Sequence, residues 1–185
     1  QKKRHLNYKC MLLLTSCVSM RRTATILNLH PITVARKLVY MAAQSRLKSA
    51  AYLNDCSFVQ SIQFDELQTI EHTKCNPLSI ALVVASDSRK ILSFRVSQMP
   101  ATGYLAKISR IKYGFRKDLR LAGLVDLFQE LYKKLHPKIS ISSDKCSFYE
   151  PVVSAYFPQA TYTQFKGKKG FVYGQGELKK TVYDP

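Results

Sequence analysis

The sequence predicts an α/β protein, a layered sheet with flanking helices preceded by an all-α module, and three observations predict it. The first is charge. Residues 1–50 carry ten Lys/Arg and no Asp or Glu, whereas residues 51–185 carry nineteen against twelve. The second is a change of period near Phe58, from helical spacing to the two-residue alternation of half-buried strands. The third is the order of the later elements, which reads strand, strand, strand, helix, strand, helix, strand. Three strands in a meander followed by crossover helices make a layered sheet.

The bulk composition is globular, at 46% hydrophobic and 22% charged over 185 residues. A formal net charge of +17 points to a polyanionic partner, nucleic acid or an anionic membrane surface. The longest apolar runs, "MLLL" and "IALVVA", are far too short to span a bilayer, and no signal peptide is visible. The five cysteines (Cys10, Cys17, Cys56, Cys75 and Cys146) are scattered, with no C-x-x-C pair to suggest structural zinc. Reduced thiols in a cytoplasmic protein fit them best. The chain opens on Gln1 and stops at "TVYDP", and it reads as an internal segment of a longer protein.

In the basic module, residues 7–15 form an apolar helix ended by "TSCVS". Ser19 is placed to cap a second helix over Met20–Leu27. "NLH" turns the chain, and Pro31 suits the first position of a third helix running to about Ser45, because its missing N–H is not needed there. Val34, Leu38 and Met41 give that helix a buried stripe at i, i+4 and i+7. Two helices joined by a three-residue turn read as a helix-turn-helix over residues 1–46. In such a motif the second helix enters the major groove. Ile32, Thr33, Arg36 and Lys37 are then expected at bases or phosphates, and Arg21 and Arg22 on the backbone. The bland alternative is a helical hairpin with solvated charges. "LKSAAYLNDCS" (47–57) is small and polar and reads as a linker.

The mixed domain is expected over 58–185. "FVQSIQF" (58–64) alternates as a strand and leads into Asp65. "LSIALVVA" and "ILSFRV", joined by "SDSRK", read as a hairpin over 78–96. Residues 118–137 are an amphipathic helix, with Leu121, Leu124, Val125, Phe128, Leu131 and Leu135 on its apolar side. A strand at 138–142 runs out at Asp144, a helix follows at about 147–157, and a strand at 160–165. The basic run Arg110–Arg120 reads equally as a DNA-backbone track or a solvated loop. "KGKKGFVYGQGELKK" reads as a mobile basic loop. This order is that of the ribonuclease H-like fold. Two distant acids, Asp65 and Asp144, each at a strand, can converge on one divalent metal, and hard cations such as Mg²⁺ take oxygen ligands. Glu66, on the opposite face of its strand, is expected in a salt bridge or at the surface.

The passages "VSMRRTATILNLHPITVARKLVYMAAQSR", "VQSIQFDELQTIEHTKCNPLSIALVVASDSRKILSF" and "HPKISISSDKCSFYEPVVSAYFPQATYTQFKGKKG" cover most of the chain. Together they resemble a bacterial insertion-sequence transposase of the DDE type. The resemblance implies that Asp65 and Asp144 are the first two metal-binding catalytic acids and that Mg²⁺ or Mn²⁺ is the cofactor. It implies hydrolysis of transposon-end DNA and transfer of the freed 3′-OH to target DNA. It implies double-stranded DNA as partner, action as at least a homodimer, and a bacterial cytoplasmic, nucleoid-associated setting. A third acid is expected on a helix after the last strand. Glu177 is a candidate with loop-like flanks, and the third ligand is expected beyond Pro185. A cysteine-rich finger, if there is one, precedes Gln1. The rival readings are a helix-turn-helix regulator with a non-catalytic α/β domain, and a nuclease of the same fold without strand transfer.

Overall fold

The computed structural model describes residues 3–54, 59–166, 170–173 and 180–183. The chain forms two compact units, Gln1–Asp55 and Cys56–Pro185.

Among the described residues the first unit holds a short 3-10 turn, Arg4–Leu6, and three α-helices, α1 (Asn7–Thr15), α2 (Met20–Ile26) and α3 (Pro31–Asn54). Both of the first two end in the same way. Cys17 and Asn28 take left-handed backbone, at φ 62° and 49°. After α1, Val18 N donates to Leu13 O and Cys17 N to Leu14 O. After α2, Leu29 N donates to Ala24 O and Asn28 N to Thr25 O. These paired bonds satisfy the last carbonyls of each helix and turn the chain sharply. At the other end of α2, Ser19 Oγ accepts from Arg22 N at 3.3 Å, as its capping position predicts. Pro31 opens α3, and His30 Nδ1 accepts from Ile32 N at 3.3 Å. Cys10, Ala24 and Val34 are buried together, with Leu14, Leu27, Leu29 and Met41 packed around them.

Three expectations for this unit are corrected. Helix α3 does not stop near Ser45 but runs through the segment read as a linker, to Asn54. "LKSAAYLN" lacks Gly and Pro and is rich in good helix formers, so nothing in it ends a helix. Leu38 is 42% exposed, so the buried line along α3 is Val34, Lys37 and Met41. Lys37, expected at DNA, is 1% exposed. Its ammonium donates to Lys3 O at 2.9 Å and Asn7 Oδ1 at 2.6 Å. A buried ammonium persists only when its protons find acceptors, and here the chain start and α1 supply them.

The second unit is built on a five-stranded mixed sheet in the order β3-β2-β1-β4-β5. Strands β1 (Ser61–Glu71), β2 (Thr73–Ala85) and β3 (Ile91–Gln98) form an antiparallel meander. β4 (Ser140–Asp144) lies parallel to β1, and β5 (Thr161–Phe165) parallel to β4. Helices α4 (Tyr104–Tyr113) and α5 (Arg120–Tyr132) connect β3 to β4, and α6 (Tyr149–Tyr156) connects β4 to β5. A separate hairpin pairs β6 (Gly170–Tyr173) with β7 (Lys180–Tyr183), where a loop was expected.

One face of the sheet carries the core. Ile62, Phe64, Val83 and Ile141 are buried against Leu124, Leu127, Phe128 and Leu131 of α5 and Tyr149, Val152 and Val153 of α6. The Phe64 ring meets Tyr149 at 4.8 Å and Phe128, edge on, at 5.1 Å. Helix α5 approaches β3 closely enough that a methyl group at Gly123 would run into Ser97 Oγ. Leu121 turns outward at 51% exposure, and the unforeseen Leu127 takes a core place. α4 was not foreseen, although Tyr104, Ile108 and Ile111 stand at helical spacing, and only Ser109 of its ten residues is buried.

Candidate functional site

Asp65 sits in the middle of β1, opposite Leu82 of β2. Alternation along β1 sends Ile62, Phe64 and Glu66 to the core-facing side, and Gln63 and Asp65 to the other. On β4, Ile141 and Ser143 are buried, while Ser142 and Asp144 face away. The parallel register pairs Gln63 with Ser142 and Phe64 with Ser143. One step further along both strands come Asp65 and Asp144. In-register residues of adjacent parallel strands share a face, and the strands lie roughly 4.8 Å apart. The two acids, seventy-nine positions apart in sequence, are therefore neighbours one step past the last paired residues. Both are exposed, and both line a cavity of about 380 Å³ with Gln63, Ser142, Leu82 and Phe165.

The electrostatics agree with this placement. The Asp144 carboxyl is held above the usual carboxylate range, first by partial loss of hydration and then by the negative charge of Asp65. Asp65 is oriented by its neighbour: Oδ1 accepts from Glu66 N at 2.6 Å. The β4 end is braced from behind. Ser143 Oγ donates to Asp144 O at 2.7 Å and lies 2.8 Å from the Tyr162 hydroxyl, which accepts from Gln164 Nε2.

Glu66 points the other way, as alternation requires, and of the two roles expected for it, salt bridge or surface, it takes the salt bridge. Its side chain is only 10% exposed and lies 3.9 Å from Arg120. Burial pushes its carboxyl up most strongly. The Ser79 hydroxyl and Arg120 pull it down, and Asp118 and Asp144 raise it again. Ser79 Oγ stands near without reaching hydrogen-bond geometry, so it and Glu66 Oε1 have no hydrogen-bond partner among the described residues. Arg120 is committed mainly to Asp118, at 2.7 Å between Nη2 and Oδ2, and its guanidinium lies over the Phe148 ring. That grip is what holds the Asp118 carboxyl below its ordinary value, against the effect of burial.

Two side-by-side carboxylates form a donor set for a cation, and the charge of Asp65 makes Asp144 harder to ionise while no cation is bound. All the donors are oxygen, which suits Mg²⁺ or Mn²⁺ rather than a thiophilic metal. The residues fit such an ion as a two-carboxylate site that leaves most of the coordination sphere to water or to a bound phosphate. Among the described residues, no group of three or more His, Cys, Asp or Glu is placed to hold a metal. Glu177 lies outside the described residues.

The residues expected at DNA are divided. Arg21, Arg22, Ile32 and Arg36 are exposed on α2 and the start of α3, Thr33 is half-buried, and Lys37 is withdrawn into the core. No α-helix among the described residues is long and apolar enough to cross a membrane. No protein-family model matches the chain, and no curated protein matches it at a significant level.

Proposed function

We propose that this chain belongs to a DNA transposase of the DDE kind. It would cut phosphodiesters at transposon ends with the help of a divalent metal and join the freed 3′-OH to target DNA. The observation that carries the reading is that Asp65 and Asp144 stand side by side just past the last β1–β4 pair and line one cavity, which makes one candidate cation site of two remote acids. The strand order β3-β2-β1-β4-β5, with an antiparallel meander and two parallel strands, supports the ribonuclease H-like reading of the sheet. In that arrangement the first strand bears an acid near its centre and the fourth bears one at its end. The capped α2, its tight turn and the Pro-started α3 support a helix-turn-helix reading of the first unit.

In this reading Asp65 and Asp144 hold Mg²⁺ or Mn²⁺, which when bound activates an attacking oxygen and stabilises the leaving one. The backbone N–H of Glu66 fixes the Asp65 carboxylate, and the Ser143–Tyr162–Gln164 hydrogen bonds fix the end of β4. Arg21, Arg22 and Arg36 supply cations for the DNA backbone, and Ile32 and Thr33 face the groove. The protein acts as a homo-oligomer, in the bacterial cytoplasm at the nucleoid.

The test is cleavage of supercoiled DNA carrying the element's terminal repeats, with Mg²⁺, by the full chain and by Asp144→Asn. The expected result is Mg²⁺-dependent nicking, with 3′-OH ends joined to a second DNA. The variant should lose it by more than a hundredfold while still binding the repeats. Nicking without joining would leave a nuclease. Equal behaviour of variant and wild type, with no metal requirement, would return the chain to a DNA-binding regulator.

A further inference from the structure

We infer that α4 and the turn after it form a seat for an unpaired nucleic-acid strand, separate from the first unit and from the two carboxylates, and resting on the proposed function for its substrate. Residues 104–117 read "YLAKISRIKYGFRK", with five Lys/Arg and no acid. The segment is braced at a few points. Ser109, 4% exposed, donates its hydroxyl to Cys75 O at 2.7 Å. Arg116 ties the return of the chain, with Nε to Met99 O at 3.1 Å and Nη2 to Pro77 O and Glu71 Oε2, both at 3.4 Å. Arg116 is thus spent on structure, whereas Lys107, Arg110 and Lys117 are exposed and have no acidic partner among the described residues.

The same braced surface turns its rings to solvent. Tyr104 is 86% exposed, Phe115 81% and Ile111 78%. Lys112 stands 5.4 Å from the centroid of the Tyr113 ring. Cations interleaved with exposed flat or apolar side chains, without acids, match a strand that offers phosphates and free base faces together. A duplex offers the phosphates but keeps its base faces stacked inside, leaving Phe115 and Tyr104 nothing to cover. The position fits a strand that also reaches the two carboxylates. Arg116 grips Glu71, at the end of β1, six residues from Asp65. At roughly 3.3 Å per residue the separation along β1 is about 20 Å, close to six stacked nucleotides.

The chain contains no Trp, so Phe115→Trp in the full chain gives a single reporter at this surface. Its fluorescence is followed in EDTA against a twelve-nucleotide oligothymidylate, a duplex of equal length, and vesicles of phosphatidylglycerol. The expected result is saturable quenching by the single strand, at least tenfold tighter than by the duplex. Adding Lys107→Ala, Arg110→Ala and Lys112→Ala should weaken it more than tenfold. The same changes should flatten the salt dependence of log K by about two, from three phosphates at roughly 0.7 each. Quenching by the duplex at equal strength overturns the inference, as does silence with the oligonucleotide. A blue-shifted response to vesicles alone overturns it in favour of a lipid surface. Because the reporter is local and the measurement uses no divalent ion, failure here leaves the cleavage test standing, and failure of cleavage leaves this binding standing.

Discussion

Removing one of the two neighbouring acids should make the unliganded protein more stable. Asp65 and Asp144 stand one step past the last paired residues of neighbouring parallel strands, and at the spacing of such strands their charges lie about 5 Å apart. Coulomb's law gives repulsion of about 0.8 kcal/mol at the dielectric of water and about 3 kcal/mol at an effective value of 20. Both side chains are exposed, which places the effect near the lower figure. Asp144→Asn is expected to gain about 1 kcal/mol, or roughly 3 °C in Tm for a chain of this size. The sign follows from the raised Asp144 carboxyl. Its folded pKa lies above the unfolded value, so its favourable contribution is full below the unfolded pKa and is lost as pH rises through the folded one. The variant's advantage should therefore be absent in acid and complete at neutral pH. Magnesium should act in the opposite sense. At ten times its Kd it stabilises the wild type by about 1.4 kcal/mol and leaves the variant nearly unmoved. Thermal melts with and without Mg²⁺, at pH 4 and pH 7.5, decide the matter. A variant that melts lower than wild type at pH 7.5, or that keeps its magnesium response, refutes the side-by-side placement.

Other substitutions separate surface from core. Arg36→Ala should weaken duplex DNA binding and reduce the salt slope by about 0.9, as for one lost phosphate contact, in a fluorescence-anisotropy titration over salt. Lys37→Ala should instead cost about 1–3 kcal/mol in urea unfolding, because the carbonyl of Lys3 and the amide oxygen of Asn7 lose their donor. Its folded fraction should keep wild-type salt dependence. Cys17→Gly should raise the urea midpoint by about 1 kcal/mol equivalent, since a side chain at φ 62° gives up conformational energy that glycine does not. Gly123→Ala should destabilise by about 1 kcal/mol through its collision with Ser97 Oγ. On a Ser97→Ala background that loss should vanish, which a double-mutant cycle in urea measures.

Strand and helix identities in the second unit were legible because their periods are clean. "SISSD" alternates on β4, and "LVDLFQELY" carries helical spacing on α5. Asp144 at a strand end could be read from its own neighbourhood. Its place beside Asp65 could not, since register between remote parallel strands depends on the crossover helices and how they pack. The helical errors have one cause. Val34, Leu38, Met41 and Val34, Lys37, Met41 both satisfy helical spacing, and hydrophobicity favours the first. The second wins because two acceptors from the chain start and α1 meet the Lys37 ammonium, a contact thirty or more residues away. Helix α4 was missed although Tyr104, Ile108 and Ile111 stand at i, i+4 and i+7, because its interleaved Lys and Arg read as a solvated basic run, and in the fold those three side chains do face outward.

The location of the two acids within the sheet explains why they can be tolerated there. β1 is the central strand, and β4 pairs with it only over Ser61–Phe64. Asp65 is the first residue past that pairing, while Asp144 ends β4, held on its other side by Phe165. The parallel ladder thus opens where the two carboxylates stand, and β1 continues with β2 alone. Open α/β sheets bind ligands in the crevice beyond the carboxyl ends of their parallel strands, where neighbouring connections diverge. Here that crevice is the cavity of about 380 Å³ lined by both acids. One residue earlier on either strand, the side chain turns into the core at Phe64 or Ser143, where a carboxylate would be buried. Two residues earlier, it lies at Gln63 and Ser142, where the ladder is still closed. Asp65 and Asp144 therefore occupy the first positions at which a charged pair meets water on one side and stays anchored by a neighbouring strand on the other.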